Sequence, residues 1–105
     1  MKTILFISRK AERCGVADYG RRVDAVLKKS KLFNTVWSEI ETAEEFTHAF
    51  EMHNPDLVLY NYYPVILPFI TDSFLADKRH VPHVALYHEV GLAFTPTAVI
   101  DVDST

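Results

Sequence analysis

Four short apolar runs, Ile4–Ile7, Thr35–Ser38, Leu57–Tyr60 and Val84–Tyr87, are separated by stretches with helical periodicity. That alternation constrains the fold more than any other feature, because strands joined through helices must run parallel and be covered by those helices. Three of the runs are continuously apolar, whereas Val36-Trp-Ser-Glu-Ile40 is mixed. Continuous runs belong inside a sheet covered on both faces, and the mixed run belongs at an edge. With right-handed crossovers the expected architecture is an α/β three-layer Rossmann-like sandwich: a short parallel sheet of four to five strands in the order 2-1-3-4. Residues 1–90 form this domain. Residues 91–105 are expected to be a loop, with Ala98–Val102 as one more short strand before a polar tail.

The helices carry start and stop signals. The first is expected over Val16–Lys29, with Val16, Tyr19, Val23, Val26 and Leu27 on one face. The second opens on Thr42-Ala-Glu-Glu45, where a threonine cap is answered three residues later by glutamate; it buries Ala43, Phe46, Ala49 and Phe50 and closes at Asn54-Pro55. The third is expected to start near Pro68, turning Ile70, Phe74 and Leu75 inward before a basic Lys78-Arg79-His80 end.

At 105 residues, with 49% hydrophobic and 24% charged side chains, the chain suits one ordinary globular domain with one modest core. A net charge of −3 gives no general attraction to nucleic acid or anionic membranes. Arg21, Arg22, Lys28, Lys29 and Lys31 form a local basic stripe, read as a solvated helix face. No apolar run approaches the ~20 residues of a membrane span, and Met1-Lys2-Thr3 leads directly into a strand, so a cytoplasmic location is expected. One cysteine forms no internal disulfide, which agrees with a reducing compartment.

The strand order reverses between the first and third strands, and ligands of open α/β sheets sit at such a switch point, beyond the carboxyl ends of the strands. Here it is flanked by the Ser8–Gly15 loop and by Asn61-Tyr62-Tyr63-Pro64. Gly15 lacks a Cβ, so a ligand could approach the amides that open the next helix; a plain turn glycine is the alternative. Cys14 precedes that helix, where the dipole lowers a thiol pKa, yet no histidine partner is evident and a small packed side chain is the better reading. Asp18 complements the dipole and Tyr19 packs, or either edges the crevice. His88 follows the fourth strand at its carboxyl end and could donate to a phosphate or hydroxyl, or simply end the strand. Glu89 beside it is a base or a solvated carboxylate. His80-Val-Pro-His83 is poor metal-ligand spacing, since Pro82 breaks the geometry and His83 enters its strand at the end opposite the crevice, so no metal site is assigned. His48 and His53 read as surface residues. A receiver domain would want clustered acids after the first strand and an aspartate after the third, where Ser8-Arg9-Lys10 and Asn61 stand; a Walker-type loop is also absent.

Three stretches together resemble the amino-terminal half of the first Rossmann-like domain of GT-B fold glycosyltransferases, particularly the large retaining family that uses nucleotide-sugars: Cys14-Gly-Val-Ala-Asp-Tyr-Gly-Arg-Arg-Val23 with Ala25-Val-Leu27, Asn54-Pro-Asp-Leu-Val-Leu-Tyr60, and Val81-Pro-His-Val-Ala-Leu-Tyr-His-Glu89. They occur in the family's order and span most of residues 1–90. The resemblance implies that Gly15, with Cys14 and Tyr19 beside it, faces the donor diphosphate and that His88 is the polar contact near the reaction centre. It also implies glycosyl transfer from a nucleotide-sugar to an acceptor hydroxyl, with retention and without a required metal or cofactor. The chain stops where the family continues into a second domain that holds most nucleotide contacts and paired glutamates, and the family's glycine-rich loop is reduced to Cys14-Gly15. The expectation is therefore a truncated acceptor-side module, inactive alone. The competing expectation is a non-catalytic interaction or scaffold module whose incomplete sheet edge is covered by self-association or a partner chain.

Overall fold

The computed structural model describes residues 2–9, 15–61, 67–87 and 94–101, without the side chains of Arg9, residues 15–19, Tyr87 and Asp101. It is a Rossmann-like α/β fold. Strands β1 (Lys2–Arg9), β2 (Phe33–Ile40), β3 (Leu57–Tyr60), β4 (His83–Tyr87) and β5 (Ala98–Asp101) form one parallel sheet in the order β2-β1-β3-β4-β5. The mixed strand β2 lies at an edge, as its pattern requires. Its register pairs Ile4 with Thr35 and Phe6 with Trp37. β5 adds a fifth strand by pairing Val84 with Ala98 and Leu86 with Ile100.

Side chains alternate across the sheet, dividing the core in two. Leu5, Ile7, Val58, Tyr60 and Ala85 face helix α2 (Ala43–His53), where Phe46, Ala49 and Phe50 meet them, and Leu67, Ile70, Leu75 and Phe94 complete that layer. Ile4, Phe6, Leu59 and Leu86 face helix α1 (Gly15–Ser30), where Val23 and Leu27 meet them.

Helix α2 begins as its sequence dictates. The Thr42 hydroxyl accepts from the Glu45 amide at 3.2 Å while Glu45 Oε1 accepts from the Thr42 amide at 3.2 Å, so two otherwise unpaired donors are satisfied reciprocally. Asn54 ends it in the left-handed region at φ 42°, donating to the Phe50 carbonyl. Helix α3 (Asp72–Leu75) starts four residues later than Pro68 suggests. Thr71 is the stronger start signal: its hydroxyl accepts from the Phe74 amide at 3.2 Å, while Pro68 and Phe69 form a turn. Ile70 and Leu75 are nevertheless buried as expected. The following 3-10 turn, Ala76–Lys78, does not end in a solvated basic cluster. Lys78 is buried, with its Nζ 4.5 Å from the Phe74 ring centroid and 3.0 Å from Asp77.

The inward face of α1 is rotated from the expected one. Val26 is 67% exposed, and Gly20 and Asp24 are buried together with the partly buried Val23 and Leu27. A helix face is set by whichever residue permits the closest approach, and here that is Gly20, which turns the buried face by about a sixth of a turn, keeping Val23 and Leu27 and leaving Val26 outside. The helix ends at Ser30, after which Lys31 takes φ 57°. An L-residue pays about 1 kcal/mol there and glycine does not. Lys31→Gly is expected to raise the unfolding free energy by roughly 0.5–1 kcal/mol in urea denaturation, since the lysine side chain is exposed and forfeits no packing; an unchanged or lower stability would contradict the cap assignment.

Candidate functional site at the strand switch point

β1 and β3 are neighbours, yet the chain leaves them in opposite directions, to β2 on one side and β4 on the other. On the α1 face the alternation Ile4, Phe6, Ser8 on β1 and Leu57, Leu59, Asn61 on and after β3 brings two polar residues to the carboxyl end of an otherwise apolar surface. Ser8 and Asn61 are both buried. Their side chains meet, Asn61 Nδ2 donating to Ser8 Oγ at 3.2 Å, and the Asn61 amide continues the ladder by donating to the Ile7 carbonyl at 2.8 Å. A buried polar pair is stable only when hydrogen-bonded, and the bond fixes both side chains.

Helix α1 rests directly on this pair. A Cβ at Gly20 would lie 2.6 Å from Asn61 Cγ, with the amide nitrogen closer still and Asn61 Cβ at 3.2 Å. Glycine inside a helix costs about 1 kcal/mol relative to alanine. Here it allows the helix backbone to sit against the end of β3. Gly15 opens α1 five residues before this contact, so the amino end of the helix stands about 7 Å further along its axis. The positive end of the helix dipole is thereby set toward the carboxyl ends of β1 and β3, an arrangement that attracts anions.

Gly15 and Tyr19 thus belong to α1, with the Tyr19 side chain outside the described residues. Cys14, His88, Glu89 and residues 62–66 lie outside them altogether. The sequence names Ser8 and Asn61 only as flanks of the crevice and does not single out Gly20, although a glycine within an amphipathic helical pattern is itself a signal of close approach.

The described histidines lie elsewhere. His83 is fully buried at the amino end of β4, Nε2 2.6 Å from the Lys78 carbonyl and Nδ1 2.7 Å from the Tyr60 hydroxyl. The carbonyl accepts only, so Nε2 carries the proton and Nδ1 accepts from Tyr60. His80 is exposed and edges onto the Phe50 ring at 5.5 Å, and His48 is exposed on α2. Among the described residues, no three His, Cys, Asp or Glu side chains come together as a metal site. The basic stripe on α1 is exposed, with Arg21 3.5 Å from Glu39 and Lys28 2.9 Å from Asp24. Among the described residues, no helix is long and apolar enough to cross a membrane.

A scan against protein-family models and a search of curated proteins give no match to this chain.

The His83 network sets a pH dependence. Burial holds the imidazole below its ordinary value of 6.5, opposed by the bond to the Lys78 carbonyl and reinforced by the nearby cations Arg79, His80 and Lys78. Burial also pushes the Tyr60 hydroxyl well up, so it remains a donor. The unfolded chain then takes up a proton below about pH 6.5 that the folded chain refuses, and stability is complete above that pH and declines toward the lower folded value. Stability in urea is expected to fall as the pH drops below about 6.5, by at most ~1.4 kcal/mol per pH unit from this group. Tyr60→Phe, which strips Nδ1 of its donor, is expected to cost about 1–3 kcal/mol at pH 7.5. A midpoint unchanged by that substitution would contradict the assignment.

Proposed function

We propose that this chain is a glycosyltransferase-like amino-terminal, acceptor-side module. The single observation supporting this is the seating of α1, through Gly20, on the buried Asn61–Ser8 pair at the switch point. It aims the amide-rich start of the helix at the gap where an open parallel sheet receives its ligand. The chemistry of such a gap suits a diphosphate. In this reading the first-turn amides donate to phosphate oxygens and Gly15 lets them come close, while Cys14, Tyr19 and His88 are the further contacts that the family resemblance implies.

In this reading a nucleotide-sugar is donor substrate, not cofactor, and no metal is assigned. The bond between the sugar's anomeric carbon and the diphosphate breaks, and a bond from that carbon to the acceptor oxygen forms with retention. Fixed donors stabilise the negative charge on the departing diphosphate, the largest source of rate gain open to such a site. The resemblance implies that a second domain supplies the nucleotide contacts and carboxylates, so this module by itself is expected to bind weakly and not to turn over. A second reading, a scaffold that binds a partner or itself, is favoured by the exposure of Val99 and Ile100 on the edge strand β5.

The discriminating experiment is an amide-shift titration with uridine and guanosine diphosphates and their sugar conjugates. Saturable shifts clustered at residues 15–20 and at Asn61, weakened severalfold by His88→Ala, are expected. No shift at millimolar nucleotide would remove the donor-binding reading and leave the scaffold.

A further inference from the structure

The two edges of the sheet are defended differently. β2 is mixed, with Asn34, Ser38 and Glu39 along it, and Arg21 of α1 reaches over it to Glu39 at 3.5 Å and to the Trp37 ring at 5.9 Å. Polar side chains and cover of this kind keep an edge strand from pairing with another chain. β5 has neither. Thr97, Ala98, Val99 and Ile100 are exposed in succession, and among the described residues no strand pairs with the outer side of β5. Val99 is 48% and Ile100 41% exposed, and the two lie on opposite faces. Val99 pairs in the register with Ala85 of the α2-side core, and Ile100 with Leu86 of the α1-side core. The strand is nevertheless held in place by the two bonds between His83 and Thr97 and by those from Thr95 to Asp72. An edge fixed in advance loses little freedom on pairing.

The residues of this edge identify what fits it. Two copies joined edge to edge by a two-fold axis normal to the sheet pair antiparallel. Opposed residues in such a pair point to the same side of the sheet, so the axis must pass through a residue and not between two. With the axis at Val99, Val99 opposes Val99 of the second copy, Ala98 opposes Ile100, and Thr97 opposes Asp101. Apolar then meets apolar on both faces, a small residue meets a large one, and a hydroxyl residue meets an acidic one. With the axis at Ile100, each Val99 would instead oppose the acidic Asp101. The edge is therefore complementary to itself in one register.

We propose that β5 is a self-association edge, through which two copies of this chain join antiparallel about Val99 and merge their five-stranded sheets into one. The inference rests on the scaffold reading and names its partner as a second copy. Two four-residue strands bury less than the about 800 Å² per partner of a standard interface, so the dimer is transient, populated at millimolar and dissociated at micromolar concentration.

Cys14 is the sole cysteine, so in a Cys14→Ser background an introduced thiol reports its own neighbour. Directly opposed residues lie within the Cα separation that a disulfide tolerates, and residues two positions out of register lie beyond it. Under mild oxidation at millimolar protein, Val99→Cys is expected to crosslink to itself. Ala98→Cys is expected to crosslink to Ile100→Cys when the two are mixed, and at least tenfold less when either is alone. Sedimentation of the parent chain should show a monomer–dimer equilibrium between micromolar and millimolar concentration. Val99→Lys, which sets two ammonium groups opposite each other, should weaken it at least tenfold. The substituted side chain is exposed, and an unchanged urea midpoint in dilute solution establishes that the variant folds. A chain monomeric at millimolar concentration, a dimer indifferent to Val99→Lys, or crosslinks that ignore the register would overturn the inference. The nucleotide titration separates this outcome from the fate of the scaffold reading: a monomer that binds no nucleotide keeps that reading with another partner, and a monomer that binds nucleotide removes both.

Discussion

The contact between Gly20 and Asn61 fixes the position of α1, and with it one face of the sheet and the geometry of the switch point. A methyl group at position 20 would overlap the Asn61 amide, so a helix bearing any other residue must lift, slide or drive the Asn61 side chain off Ser8. Lifting would separate Val23 and Leu27 from Ile4, Phe6 and Leu59, losing about 25 cal/mol for each Å² of apolar surface returned to water. Sliding would move the helix amino end relative to the strand ends. The rotation that buries Gly20 also turns Val26 outward.

The opposite face is built differently, around a polar clamp inside an aromatic layer. Tyr60 stacks on Phe46 at 6.0 Å and leans on Phe94 at 4.9 Å, and its hydroxyl is bound by His83. The His83 backbone in turn accepts from the Thr97 amide at 2.7 Å and donates to the Thr97 hydroxyl at 3.0 Å, tying β4 to the chain entering β5. Asp72 adds a second tie. It accepts from the Thr95 amide and hydroxyl and from Arg79, and these donors, the Thr95 amide foremost, hold its carboxyl below the usual range. The edge strand is thus fastened through the segment that enters it, while its own Val99 and Ile100 stay exposed on both faces.

Much of this was legible in the sequence because it depends on local chemistry. Continuous apolar runs identify interior strands, the mixed Val36–Ile40 run identifies an edge, and Thr42 with Glu45 marks a helix start whatever surrounds it. The rest depends on partners distant in the chain. Val26 has the right spacing for an inward face, but the decision lies with Asn61, 41 positions from Gly20. Lys78 reads as part of a basic helix end and His83 as the residue entering a strand, but the Phe74 ring, the Lys78 carbonyl and Tyr60 partner them where they are buried. The candidate site divides in the same way: strand order predicts where the crevice lies, while Ser8 and Gly20 emerge as its foundations only when the two strand ends and the helix are brought together.

The most direct measurement is a double-mutant cycle in urea on Gly20→Ala and Asn61→Ala. In the native background Gly20→Ala is expected to destabilise by about 1–3 kcal/mol, the cost of forcing a methyl into a filled space. With Asn61 cut back to alanine most of that cost should vanish, because only the Cβ at 3.2 Å remains to be accommodated, giving a coupling of at least ~1 kcal/mol. Additive effects, or a Gly20→Ala variant as stable as the parent, would show that α1 is held by something other than this approach.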